Sequence, residues 1–362
     1  MSNNNIKKHI TCNLRQVAAI MEDCLAANKI LCVLGQPGAG KSAVGDQVAT
    51  FFNLELIDIR LTSYLPEDMN GFAHIHEQKD EEGNVIQRVA EYVPFDTFPT
   101  VDTPPPEGKD GWLIILDEFP SADDDVKKAC YKLLQERMIG QRKLHPNVRI
   151  ILAGNRPEDG ASAGGIDTAL RSRVTTVIVH VDTDIWLEDW AIPRNLDSRV
   201  IGYIAQHPDE LDNFDPKHSG VTFNAPRTWN NLSDLIKGKK IEDQKMAMYA
   251  GTISEASAIK FVGWCRVAED LPKIEDIIED PINTKIPTNT DACWHTVMMC
   301  IEHIKHDQFM EIAAYVSRMP LNQRILFGRS AIIRKPAVRS MREFTMFLAD
   351  ISKHINGAAV VL

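Results

Sequence analysis

The sequence contains no C-x-x-C pair, and its seven cysteines (Cys12, Cys24, Cys32, Cys130, Cys265, Cys293, Cys300) are odd in number and scattered. That spacing excludes a disulfide scaffold, points away from a zinc site, and fits free thiols in a reducing compartment. No apolar run approaches the roughly 20 residues that span a bilayer. The opening Met1-Ser2-Asn3-Asn4-Asn5 is polar, and no apolar signal segment follows it. The expected location is therefore the cytoplasm. Positive charge is also short, with 40 Lys and Arg against 50 Asp and Glu, a net charge of −10. Nucleic-acid binding over the whole surface is unfavourable at that charge, although a local basic patch stays open. What is present is ordinary for a soluble globular chain: 362 residues, 44% hydrophobic and 25% charged. At about 150 residues per domain, two or three domains are expected, with ample core.

Apolar spacing predicts a helix over residues 12–28, a buried strand over 30–34, and a helix over 41–52. Further strands are predicted at 54–60, 112–116, 148–153 and 174–181, with helices at 123–137 and 166–172. Alternation of this kind implies a mostly parallel sheet covered on both faces. Residues 62–110 interrupt it with little helical periodicity. There, residues 79–84 look like an exposed hairpin tip between arms at 74–78 and 85–93, and prolines mark irregular chain beyond. After residue 182 the strand signal fades and helical patterns dominate. The expected organisation is an α/β nucleotide-binding domain over 1–182, a helical lid over 183–250, and a helical C-terminal extension over 251–362.

Gly35-Gln36-Pro37-Gly38-Ala39-Gly40-Lys41-Ser42 matches G-x-x-x-x-G-K-[ST] between a predicted strand and a predicted helix. Glycines there let backbone N–H groups turn inward around phosphate oxygens, and the helix adds its positive dipole end. Lys41 is expected to reach the β and γ phosphates of ATP, and Ser42 to ligate Mg²⁺. Ile114-Ile115-Leu116-Asp117-Glu118 is an apolar strand ending in two carboxylates. Asp117 at that strand end would face the Mg²⁺ shell. Glu118 can polarise a water for in-line attack on the γ phosphate.

Together these residues resemble the AAA+ ATPases, specifically the MoxR and dynein-related branch, over residues 14 to 240. Arg60-Leu61-Thr62, Pro66-Glu67-Asp68 through Gly71, and Leu133-Leu134-Gln135-Glu136-Arg137 are similar to segments of that branch. The hairpin near 79–84 is similar to its insertion in the second helix. The resemblance implies a P-loop parallel-sheet fold and ATP hydrolysis. It further implies that Asn155, in Ala153-Gly154-Asn155-Arg156-Pro157, is the polar sensor holding the attacking water. In Ala169-Leu170-Arg171-Ser172-Arg173, Arg173 would be the arginine finger supplied to a neighbouring subunit, with Arg171 in reserve. Arg227, in Ala225-Pro226-Arg227-Thr228-Trp229, would couple the lid to the nucleotide of its own subunit. Val174 stands where the family usually carries phenylalanine. A finger in trans implies a homo-oligomer, by analogy a hexamer, that remodels or matures a protein client. A partner with a von Willebrand factor A domain is suggested by the same analogy. The alternative is a motor or loader acting on DNA or RNA.

That alternative has one support in the sequence, a run of Arg324, Arg329, Arg334, Lys335, Arg339 and Arg342 with no acidic residue. The same stretch holds Leu326, Phe327, Ile332 and Ile333, so a helix packed on one face explains it equally. His74 and His76 would share a strand face, with no third metal ligand apparent. Trp186, Trp190, Trp229, Trp264 and Trp294 sit beside apolar residues and are expected in the helical core.

Overall fold

The computed structural model describes residues 9–159, 165–266 and 271–352. Two compact units divide the chain, one ending at His180 and the other beginning at Val181.

The first unit is built on six parallel strands in the order β1-β10-β2-β9-β6-β3. These are β1 (Thr11–Cys12), β2 (Ile30–Leu34), β3 (Leu54–Arg60), β6 (Gly111–Asp117), β9 (Val148–Gly154) and β10 (Val174–Val179). Every residue of β6 is buried, as a central parallel strand requires. One sheet face packs on α1 (Leu14–Ala26) and α2 (Lys41–Phe51) through Val17, Met21, Val44 and Val48. The other packs on α4 (Asp124–Glu136) through Val126, Cys130 and Leu133. Gly45 lets α2 lie close on the sheet, because a Cβ there would collide with Ile115 Cδ1. The first helix is two residues shorter at each end than its apolar pattern. Asn13 caps it, accepting from the Gln16 N–H at 3.0 Å, while the Gln16 side chain accepts from the Asn13 N–H.

Between β3 and β6 the chain makes a short helix, α3 (Pro66–Asn70), then a two-stranded antiparallel ribbon, β4 (Phe72–Lys79) and β5 (Val85–Val93). Asp80 closes the ribbon tip, its carboxylate accepting from the Glu82 and Asn84 N–H groups. The first arm is two residues longer at its start and one at its end than expected, the second matches, and they carry exposed Phe72, Ile75, Ile86 and Tyr92. The His74 and His76 rings stack at 6.5 Å. Among the described residues no group of three His, Cys, Asp or Glu is disposed to hold a metal. A second small ribbon, β7 (Met138–Ile139) with β8 (Arg142–Lys143), and α5 (Thr168–Arg171) complete the unit.

The second unit is built from helices and connecting turns, with no strand among its described residues. It contains α6 (Thr183–Trp186), α7 (Ser198–Gln206), α8 (Pro226–Ile236), α9 (Met246–Thr252) and α10 (Glu255–Arg266). There follow α11 (Ile274–Glu279), α12 (Thr290–Glu302), α13 (Phe309–Val316), α14 (Leu321–Arg334) and α15 (Arg342–Ile351). One buried cluster runs from Trp186 to Ile351 and takes side chains from both sides of residue 250. Trp186, Trp229, Trp264 and Trp294 belong to it, whereas Trp190 is half-buried beneath the Arg194 guanidinium, 3.6 Å from its ring centre.

The basic run is partly internal to this unit, while Lys335, Arg339 and Arg342 are exposed. Arg324 pairs with Asp350, and Arg329 pairs with Asp184 at 3.2 Å and with the buried Glu188 at 3.0 Å. Losing one partner of the buried Arg329–Glu188 pair costs about 3–5 kcal/mol. These two arginines therefore hold helices together rather than face a nucleic acid. All seven cysteines are free thiols. No helix among the described residues is long and apolar enough to cross a membrane.

Candidate active site

Parallel strands place their carboxyl ends on one edge of a sheet, and ligands of open α/β sheets bind there. Here that edge gathers Leu34, Gly154, Asp117 and Arg60 at the ends of β2, β9, β6 and β3. Leu34 is level with Gly154, and Arg60 is level with Asp117. The glycine-rich segment leaves β2 at this edge and enters α2. Gly38 and Gly40 take φ of 77° and 93°, a left-handed turn that an L side chain resists. The turn brings the N-terminus of α2 to this edge, and a helix N-terminus is a cradle for an anion.

Lys41 lies across this cradle. Its ammonium donates to Gly35 O at 2.8 Å, Gln36 O at 2.9 Å and Asn155 Oδ1 at 3.1 Å. Two residues 114 positions apart in sequence thus meet at one point. Ser42 donates its hydroxyl to Asp117 Oδ2 at 3.0 Å. A hydroxyl and a buried carboxylate facing each other are the oxygen donors a hard divalent cation takes, so the pair fits Mg²⁺. Asp58, on the same sheet face as Asp117, has its carboxyl pushed above the usual range by burial and then by the Asp117 charge, with Arg60 opposing.

Glu118 leaves the strand with φ of 57°, an uncommon conformation for a residue with a side chain. Its N–H donates to Asp117 Oδ1 at 2.8 Å. The kink sends the two adjacent carboxylates to different partners. Asp117 faces Ser42, whereas Glu118 accepts from the Thr62 hydroxyl at 2.5 Å and lies 4.0 Å from Arg60 Nε. Sequence reasoning assigned no role to Thr62 or Arg60. Their signals were the resemblance of Arg60-Leu61-Thr62 to a segment of the branch and their position at the end of β3, the strand adjoining β6. Thr62→Val should lower kcat for ATP about fivefold with KM little changed, since only the carboxylate of Glu118 loses its anchor. Thr62→Ser should restore the rate, and steady-state phosphate release checks both.

Of the remaining expected residues, Arg171 and Arg173 bond to carbonyls of their own segment. Arg173 is exposed and donates to Ala169 O at 2.6 Å, while Arg171 donates to Ile166 O at 2.8 Å. No carboxylate among the described residues pairs with Arg173. Arg227 belongs to the second unit, where it is exposed as the second residue of α8 behind Pro226. Arg156, beside Asn155, is committed to the buried Asp159.

The family model for the AAA domain (dynein-related subfamily) matches residues 30–174. No curated protein sequence matches the chain. Among solved structures, NtrX from Brucella abortus is similar at 14% identity and TM-score 0.39, covering 95% of this chain and 68% of its own. The same protein in complex with ATP is similar at 14% identity and TM-score 0.37, covering 94% and 67%. A lysine-to-arginine mutant of RuvB from Thermotoga maritima is similar at 13% identity and TM-score 0.36, covering 73% and 69%. The matched residues hold the cradle, the acidic strand end and Asn155, so the chain carries an AAA domain of the dynein-related subfamily and is an ATP hydrolase.

Proposed function

We propose that this chain is a MoxR-type AAA+ ATPase that works as a ring, with six subunits by family analogy, to remodel or mature a protein partner. The observation that carries the reading is the meeting of Lys41, Ser42, Asp117 and Asn155 at one sheet edge, with Glu118 turned out beside them.

In this reading the N–H groups of residues 35–42 and the Lys41 ammonium hold the phosphates of ATP. Lys41 would exchange its carbonyl partners for phosphate oxygens. Ser42 and Asp117 would hold Mg²⁺, which when bound neutralises charge on the β and γ phosphates. Asn155 orients the attacking water, and the Glu118 carboxylate accepts its proton. Arg173 reaches the nucleotide of a neighbouring subunit and Arg227 that of its own. Residues 183–250 serve as the lid and 251–362 as an extension from it. The exposed apolar side chains of the β4–β5 ribbon supply a surface for the partner, for which a von Willebrand factor A domain is the analogy. The place of action is the cytoplasm. A nucleic-acid motor draws less support, because Arg324 and Arg329 are spent on carboxylates.

Light scattering of the Glu118→Gln variant with ATP and Mg²⁺ tests the ring. The expected result is a mass near six subunits, with no stimulation of wild-type hydrolysis by DNA. A single-subunit mass in every nucleotide state would overturn the ring, and strong stimulation by DNA would favour the motor.

A further inference from the structure

Within α14 the basic run leaves one half-buried arginine without a carboxylate partner among the described residues. Arg324 and Arg329 meet carboxylates, but Arg334, at the end of α14, meets none among the described residues. Its one hydrogen bond is a long contact of 3.5 Å from a terminal nitrogen to Leu196 O. Its Nε is buried and has no partner. A guanidinium carries five N–H donors, and leaving them unmet away from water is costly. Burial pushes the Arg334 pKa down, and the charge of Glu302 only partly opposes this.

Arg334 lines a cavity of about 580 Å³ within the second unit, in the size range of small-molecule sites. Lys237, Lys335, Asp197 and Glu302 are its other charged lining residues. Asp197 is already neutralised by Arg199, through contacts of 2.8 and 2.7 Å. Three cations therefore face one uncommitted carboxylate, Glu302, which lies beyond ion-pair distance of Arg334. The carbonyl ends of α8 and α14 open here too, and such ends favour cations. At the end of α8 that demand is met without Arg334. Arg199 donates to Ile236 O and Lys239 O, both at 2.8 Å, and Lys237 donates to Asn195 O.

We infer that this cavity binds a small phosphate-bearing anion, with the Arg334 guanidinium offering its planar fork and Lys237 and Lys335 flanking it. Arginine suits the site because its fork matches the oxygens of a phosphate two at a time. This site is separate in sequence from the nucleotide cradle, and its ligand would report on the helical unit rather than feed the reaction.

The test uses inorganic pyrophosphate as probe and the Lys41→Ala chain, in which the cradle is disabled. Titration calorimetry should show one pyrophosphate per chain, and binding should raise the unfolding temperature. Adding Arg334→Met should weaken binding at least tenfold. It should leave the ligand-free unfolding temperature unchanged or higher, because an uncompensated buried charge has been removed. No binding by Lys41→Ala, equal affinity in the double variant, or a markedly lower ligand-free unfolding temperature would each overturn the inference. If the Arg334 variant does not fold, the exposed Lys335→Gln serves instead. A threefold or greater weakening is expected, and unchanged affinity would overturn it.

Discussion

Glu118→Gln should slow phosphate release about 10²–10⁴-fold, the usual contribution of a general base, while ATP binding holds within about twofold. The substitution is nearly isosteric. A glutamine carbonyl can still accept from the Thr62 hydroxyl, so the kink after β6 and the approach of β3 need not change. What disappears is the capacity to take a proton from the attacking water. Asp117 cannot substitute for it, because its Oδ2 accepts from Ser42 and its Oδ1 from the Glu118 N–H. Single-turnover hydrolysis beside an equilibrium nucleotide titration separates the two effects. A variant that hydrolyses at the wild-type rate would remove Glu118 from the chemistry.

Arg173→Ala should lower kcat by about 10³-fold, the lower end for an arginine finger, and should leave ATP affinity and stability nearly untouched. The reason lies in what Arg173 does within its own chain, which is little. It is exposed, and among the described residues it donates only to Ala169 O one turn back. Truncating such a side chain changes folding stability by no more than about 0.5 kcal/mol. A large loss of rate without loss of stability or binding is the signature of a residue that acts across an interface. Denaturant titration and phosphate release, measured on one preparation, check both halves.

The site was most legible where chemistry depends on neighbours in sequence. The spacing of Gly35, Gly40, Lys41 and Ser42 fixes a turn and a helix start together, and Asp117 ends an unbroken apolar strand. Asn155 was reached only through resemblance, yet its amide meets the Lys41 ammonium at 3.1 Å. Thr62 was not legible as a partner of Glu118, because a threonine after a strand has no distinctive pattern and its partner lies 56 positions away. The two-residue strands β1, β7 and β8 were missed for a related reason. Two residues carry no periodicity, and pairing of Thr11 and Cys12 with β10 is decided by tertiary packing. The basic run shows the same limit. Arg329 and Arg334 are five residues apart on one helix and look alike in sequence. One finds Asp184, 145 positions away, and the other finds no carboxylate.

The account stands most directly on whether catalysis is shared between subunits. Arg173→Ala keeps an intact cradle, and Lys41→Ala keeps an intact finger, so each alone should be nearly inactive. Mixed under conditions that allow subunits to exchange, the two should recover a substantial part of the wild-type rate of phosphate release, because an intact cradle then sits beside an intact finger. A mixture that stays inactive, with exchange confirmed by a labelled subunit, would show that Arg173 does not act in trans and would contradict the assembled machine proposed here.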